Sequence, residues 1–151
     1  MTTIHIIPLK SAGPVKLGLT KEEILKTVGI PSDRHPEKAY YQYDNIFFSI
    51  SYDQNNRVQY IEYSTPTGNK SKVLLNGIDI FGTPADDLIV QISTQLGSEY
   101  DKEEMEMPYC YIFPDLELSF WRSAVPESKE DEEGKYFMTV GIGVKGYYTD
   151  K

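Results

Sequence analysis

Thr20-Lys21-Glu22-Glu23-Ile24-Leu25-Lys26-Thr27-Val28-Gly29-Ile30-Pro31 decides the fold, because the same plan returns 63 residues later. In its opening, the Thr20 hydroxyl can accept from the backbone N–H of Glu23 while the Glu23 carboxylate returns a bond to Thr20. That capping box predicts a helix from Lys21. Ile24, Leu25 and Val28 give it one apolar stripe, Gly29 supplies a left-handed end, and Pro31 prevents continuation. Thr83-Pro84-Ala85-Asp86 repeats the opening. Thr83 is the expected N-cap and Pro84 the first helical residue, with Asp86 and Asp87 at the positive end of the helix dipole. Leu88, Ile89, Ile92 and Leu96 form the second stripe, and Gly97 ends it.

Outward from each helix the pattern changes to a period of two. Short extended entries, Val15-Lys16-Leu17 and Ile78-Asp79-Ile80, precede the two threonines. After the first helix, Tyr40 to Tyr43 turns through Asp44-Asn45 into Ile46 to Tyr52. After the second, Tyr109 to Phe113 turns through Pro114-Asp115 into Leu116 to Trp121. A third strand follows each, Val58 to Tyr63 and Tyr136 to Val144. The chain reads as an α+β fold of two tandem α-β-β-β repeats, an antiparallel sheet with helices packed on one face. It is expected to be a single domain over residues 1–151, with repeats at about 14–64 and 77–146.

Register assigns the faces, because residues flanking a two-residue turn oppose each other. Tyr41, Tyr43, Ile46 and Phe48 share one side; Tyr109, Tyr111, Phe113, Leu116, Leu118 and Phe120 do so in the second repeat. Both sets face the helices. The opposite face carries Tyr40, Gln42, Phe47, Ser49 and Ser51, then Cys110, Ile112, Glu117, Ser119 and Trp121. A two-residue turn at Asn55-Asn56 adds Tyr60 and Glu62; a turn one residue different adds Ile61 and Tyr63 instead.

Little in the sequence supports catalysis. Cys110 is expected mid-strand without a basic neighbour, as a structural thiol. His5 lies in the strand-like Ile4-His5-Ile6 and is expected to be half-buried, while His35 precedes Pro36 in a polar, solvated loop. The acidic stretches Glu99 to Glu106 and Glu130 to Glu133 lack the ligand spacing of a calcium loop. Gly141-Ile142-Gly143-Val144-Lys145-Gly146 closes a strand and opens no helix, unlike a phosphate loop. No catalytic residue, metal site or cofactor is expected. One cysteine excludes an intramolecular disulfide.

Charge narrows the partners. The chain of 151 residues has net charge −8, which disfavours nucleic acid and anionic membrane surfaces. Residues 1–75 hold nine basic against seven acidic residues, and residues 76–151 six against sixteen, net +2 and −10. The acid serves either as a solubility surface or to steer a basic partner. No apolar run is long enough to cross a bilayer. The N-terminus shows no basic leader or signal-peptide core, so the expected location is the cytoplasm.

The aromatic outer face is the remaining feature. Phe47 and Trp121 are residue types that anchor interfaces. Either the loops at 64–76 and 123–135 or a second subunit cover them, or the face grips another protein. The expected partner-binding residues are Tyr40, Gln42, Phe47, Tyr60, Glu62, Ile112, Glu117 and Trp121.

Gly18-Leu19-Thr20-Lys21-Glu22-Glu23-Ile24-Leu25 with Gly29-Ile30-Pro31, followed by Tyr52-Asp53-Gln54-Asn55-Asn56-Arg57-Val58 through Ile61, resembles the β-lactamase inhibitor protein fold. The same pattern is similar to small outer-membrane assembly lipoproteins. Residues 77–144 share the architecture. The resemblance implies a concave sheet that binds protein. The chain has neither the inhibitors' disulfides nor the lipoproteins' lipid-bearing cysteine, and a cytoplasmic version is similar in kind to bacterial immunity proteins. The expected function is a non-enzymatic protein-binding module, an inhibitor or immunity protein. The alternative is a small-ligand sensor or an uncharacterised enzyme using the same face.

Overall fold

A computed structural model describes residues 2–43, 45–68 and 71–148; Asp44 of the first expected turn lies outside them. The capping box forms as its sequence dictates. Thr20 accepts from Glu23 N–H at 3.2 Å and its own N–H donates to the Glu23 carboxylate at 3.1 Å. Helix α1 (Lys21–Val28) follows. Ile24 is fully buried, but Leu25 is 45% exposed, so the stripe is narrower than expected. Helix α2 (Ala85–Leu96) starts one residue later than its proline suggested, with Pro84 as N-cap and no side-chain cap. Thr83 is spent elsewhere: its hydroxyl donates to the Asp79 carbonyl at 2.6 Å.

Before α1 come β1 (Thr2–Ile7), β2 (Ser11–Ala12) and β3 (Val15–Lys16); after it come β4 (Asp33–His35), β5 (Lys38–Tyr43), β6 (Ile46–Tyr52) and β7 (Val58–Ser64). The second half has β8 (Ser71–Leu75) and β9 (Ile78–Asp79) before α2, then β10 (Cys110–Phe113), β11 (Leu118–Trp121) and β12 (Thr139–Gly143). Helix α1 is thus followed by four antiparallel strands, the expected three and the short β4, and α2 by three; β7 joins β12 to make one seven-stranded sheet in the order β10-β11-β12-β7-β6-β5-β4. The fold is α+β.

A second sheet was not anticipated. β1 pairs in parallel with β8, and the order is β3-β2-β1-β8-β9. Residues 71–75, expected as part of a covering loop, are a strand with Ser71, Val73 and Leu75 buried. The two helices and this smaller sheet share one core with the inner face of the large sheet. Ile4 and Val73 from the small sheet, Ile24 and Leu88 from the helices, and Phe48 and Leu118 from the large sheet all belong to it. Tyr63 ties the layers together by donating its hydroxyl to the Ala12 carbonyl at 3.1 Å.

Register in the first repeat matches the sequence reading, with Tyr43 opposite Ile46 and Tyr41 opposite Phe48. A bulge between Ser51 and Tyr52 absorbs the longer turn beyond Tyr52, and Ile61 and Tyr63 face inward. The second hairpin differs. Phe113 pairs with Leu118 across a four-residue turn, Pro114 to Glu117, closed by a positive φ of 50° at Glu117. The shift is two residues, an even number, so the inner face is unchanged. Glu117, however, leaves the strand.

Candidate functional site

The outer face of the large sheet is ordered in cross-strand rows. One row runs Tyr40, Ser49, Glu62, Gly141, Ser119, Ile112, each residue directly opposite the next. In the adjacent row Gln42 faces Phe47 on one side of the sheet, while Ser64, Thr139, Trp121 and Cys110 face one another on the other. Tyr60 sits one row further on, between Ser51 and Gly143. Phe47 and Trp121 are therefore three strand spacings apart, about 14 Å at the usual interval.

The two ends of the strands look different on this face. At the Tyr60 end, β12 presents only Gly141 and Gly143. A Cβ on Gly141 would overlap the Tyr60 hydroxyl, and one on Gly143 would come within 2.6 Å of Tyr147 Cβ. Bare backbone thus lets tyrosines lie on the sheet. Tyr147 stacks on Tyr60, and Tyr148 stands edge-on to both. Tyr60 donates to the Glu62 carboxylate at 3.2 Å and lies 3.4 Å from the Ser119 hydroxyl, to which Tyr148 donates at 2.6 Å. Burial pushes the Tyr60 hydroxyl well above the usual phenol range, and the Glu62 charge pushes the same way. Burial does the same to Tyr148. Both stay protonated at neutral pH and act as donors, not bases.

Glu117 corrects the expectation that it faces a partner. It is 2% exposed, and its carboxylate accepts from the backbone N–H groups of Gly146 and of Tyr148, the latter at 3.1 Å. It clamps residues 144–148 across the sheet as a strap. That strap, not the loops at 64–76 or 123–135, covers Tyr60.

The other end is open. Phe47 is 45% exposed and Trp121 39%. Two depressions lie on this face, one of about 390 Å³ that runs from Trp121 and Cys110 to the strapped tyrosines Tyr60, Tyr147 and Tyr148, and one of about 140 Å³ beside Tyr40, Phe47 and Ser49; Glu62 lines both. Lys38 sits 5.4 Å over the Tyr40 ring, and His35 meets that ring edge-on. Ile112 is half-buried on β10, where its carbonyl accepts from Asp101 N–H at 2.7 Å. Gln42 is exposed but lines a cleft reached from the inner side. Of the eight expected residues, register places seven on one face; Tyr40, Phe47, Glu62 and Trp121 border its open half.

The candidate chemistry is poor in nucleophiles. Burial pushes the half-buried Cys110 thiol up to about 11, and the Glu104 and Glu106 charges add to it. His5 is fully on the exposed side of β1, not half-buried as expected. Among the described residues no three His, Cys, Asp or Glu side chains gather to hold a metal, and no helix is long and apolar enough to cross a membrane.

Sequence reasoning missed Tyr147, Tyr148 and Arg122. The glycine spacing of β12 was the available signal for the tyrosines. Arg122 is 2% exposed and donates to the carbonyls of Pro108 at 3.0 Å and Gly134 at 3.1 Å, with Asp86 at 3.4 Å. It pins two loops and α2 behind the strand that carries Trp121.

No protein-family model matches the chain, and no curated protein matches it. Among solved structures it is similar to YjgB, a DUF4309 family protein from Bacillus subtilis subsp. subtilis str. 168, with a TM-score of 0.49 and 14% identity, covering 83% of this chain and 78% of that one.

Proposed function

We propose that the chain is a non-enzymatic protein-binding module, an inhibitor or immunity-type protein of the cytoplasm that seats a basic partner on the open half of the outer face. One observation carries this reading: Phe47 and Trp121, both more than a third exposed, bracket a row across four strands, with the Glu62 carboxylate between two shallow depressions in the adjacent row. Half-exposed aromatics on rigid strands give large contact area at little entropic cost. A carboxylate at the centre suits a Lys or Arg from the partner, whose approach the excess acid of residues 76–151 accelerates.

Trp121 is the one tryptophan of the chain, so the face reports on itself by fluorescence. The test is capture from the native cytoplasmic lysate with wild type and with Phe47→Ser/Trp121→Ser, after checking that the variant unfolds at the same temperature. A protein with a basic surface should be held by wild type alone and should change Trp121 emission when purified. Equal retention by the folded variant would sink the proposal.

A further inference from the structure

The inner face opens into a cleft that the outer-face reading does not use. Tyr41, Phe48 and Tyr63 stand side by side on β5, β6 and β7, with centroids 5.1 and 5.0 Å apart and planes 8° and 22° from parallel. Both tyrosine hydroxyls are already engaged, Tyr41 with the Gly29 carbonyl at 3.2 Å and Tyr63 with that of Ala12. What the ladder presents is ring carbon. Ile4 and Ile46 complete a buried floor, and the end of α1, at Thr27 and Val28, forms part of the wall.

The cleft has a volume of about 450 Å³, within the range of small-molecule sites, roughly 300–1,000 Å³. One residue in four of the chain is charged, yet none of the thirteen lining this cleft is. An ion taken from water here would find no countercharge, and its desolvation would go uncompensated. Besides the tyrosines, the side-chain hydrogen-bonding groups here are those of the half-buried Thr2 and the exposed Thr3, Thr27, Ser32 and Gln42; Thr27 and Ser32 already donate to the Glu23 and Tyr40 carbonyls, at 2.8 and 3.1 Å, and offer lone pairs to a ligand donor. Ile30, which follows Gly29 with its positive φ of 82°, stands beside them 85% exposed. An apolar molecule in the cleft would cover it.

We propose that this cleft binds an uncharged, mainly apolar small molecule with one or two hydrogen-bonding groups, its body on the Tyr41-Phe48-Tyr63 ladder and its polar end at the threonine and serine rim. The probe is N-phenyl-1-naphthylamine, neutral at pH 7, titrated into the full chain and followed by its emission. Saturable binding of one molecule per chain is expected, with the anionic 8-anilinonaphthalene-1-sulfonate at least tenfold weaker. Val28→Trp fills the wall and should weaken the neutral probe tenfold or more; Thr3→Trp narrows the mouth from an exposed strand position and should do the same, and decides the matter if the first variant does not fold. Absence of saturable binding to wild type, equal binding of the anion, or unchanged affinity in a folded variant would overturn the assignment.

Discussion

Tyr147 lies flat on Tyr60, ring centroids 4.6 Å apart and planes 11° from parallel. The pair exists because Gly143 leaves the backbone of β12 bare beneath Tyr147 and because Glu117 accepts from the backbone N–H groups of Gly146 and Tyr148, one on either side of Tyr147. Two residues far apart in sequence, Tyr60 in the first repeat and Tyr147 after the second, thus close half of a face that strand alternation alone would leave open.

Removal of the clamp should loosen that closure. Glu117→Ala strips the carboxylate from two backbone donors, and bonds to a charged acceptor contribute about 1.5–3 kcal/mol each. The expected loss of stability is roughly 3 kcal/mol by chemical denaturation, with hydrogen exchange accelerated at Gly146 and Tyr148 before anywhere in β6 or β7. Uniform acceleration throughout the large sheet would show that the strap is not a separate unit.

Arg122 and Asp86 form an unequal pair, one side chain 2% and the other 82% exposed. Asp86→Asn should cost under about 1 kcal/mol, since the carboxylate is solvated whether or not it is paired. Arg122→Ala should cost about 3–5 kcal/mol, because the Pro108 and Gly134 carbonyls lose buried donors and a cavity opens beside Phe137. Arg122→Lys should restore little, as an ammonium cannot span both carbonyls in the guanidinium plane. Equal costs for Asp86→Asn and Arg122→Ala would make the ion pair, not the carbonyl bonds, the important contact.

Much of this fold was legible because its determinants are local. Thr20 and Glu23 are three residues apart and specify their own geometry. Alternation fixed the inner face even where the turn after Phe113 was two residues longer than expected, since an even slip preserves sidedness. What the sequence concealed depends on distant partners. Thr83 has the chemistry of a cap but finds the Asp79 carbonyl first. Ser71 to Leu75 alternates as a strand should, yet its parallel partner β1 is some 70 residues away and no turn announces the pairing. Glu117 alternates correctly for the outer face, and only its left-handed backbone and the returning strap make it internal.

Cys110 gives the pH prediction. Its folded thiol is pushed up to about 11, above the ordinary value near 9, so the unfolded chain loses the proton first. Stability should be unaffected by this group below about pH 9 and should fall as pH rises from 9 towards 11. Iodoacetamide should accordingly modify native Cys110 more slowly at pH 8.5 than it modifies the urea-unfolded chain, with the native rate still climbing at pH 10. Buried tyrosines such as Tyr60 and Tyr148 lower stability at high pH in both proteins, so an equal fall between pH 9 and 11 in wild type and in Cys110→Ala would remove the effect.

Binding to the outer face should divide into two kinetic parts. Trp121 and Phe47 make short-range contact, which forms after encounter, so Trp121→Ala should raise the dissociation rate tenfold or more while leaving association nearly unchanged. The acidic loop acts at longer range. Asp131 accepts from the backbone N–H groups of Glu127 and Glu133, at 3.1 and 2.9 Å, and those bonds hold its carboxyl below the usual range; it organises the loop and should be left intact. Glu130, Glu132 and Glu133 are exposed, and replacing all three by Gln should slow association severalfold at 10 mM salt. The difference should shrink at 150 mM, where the screening length falls from about 30 to about 8 Å. With the captured partner these rates are measurable by stopped-flow on Trp121 emission for the loop variant and by surface resonance for Trp121→Ala. A loop variant slowed equally at both salts, or a Trp121→Ala protein that dissociates at the wild-type rate, would place the binding surface elsewhere on the molecule.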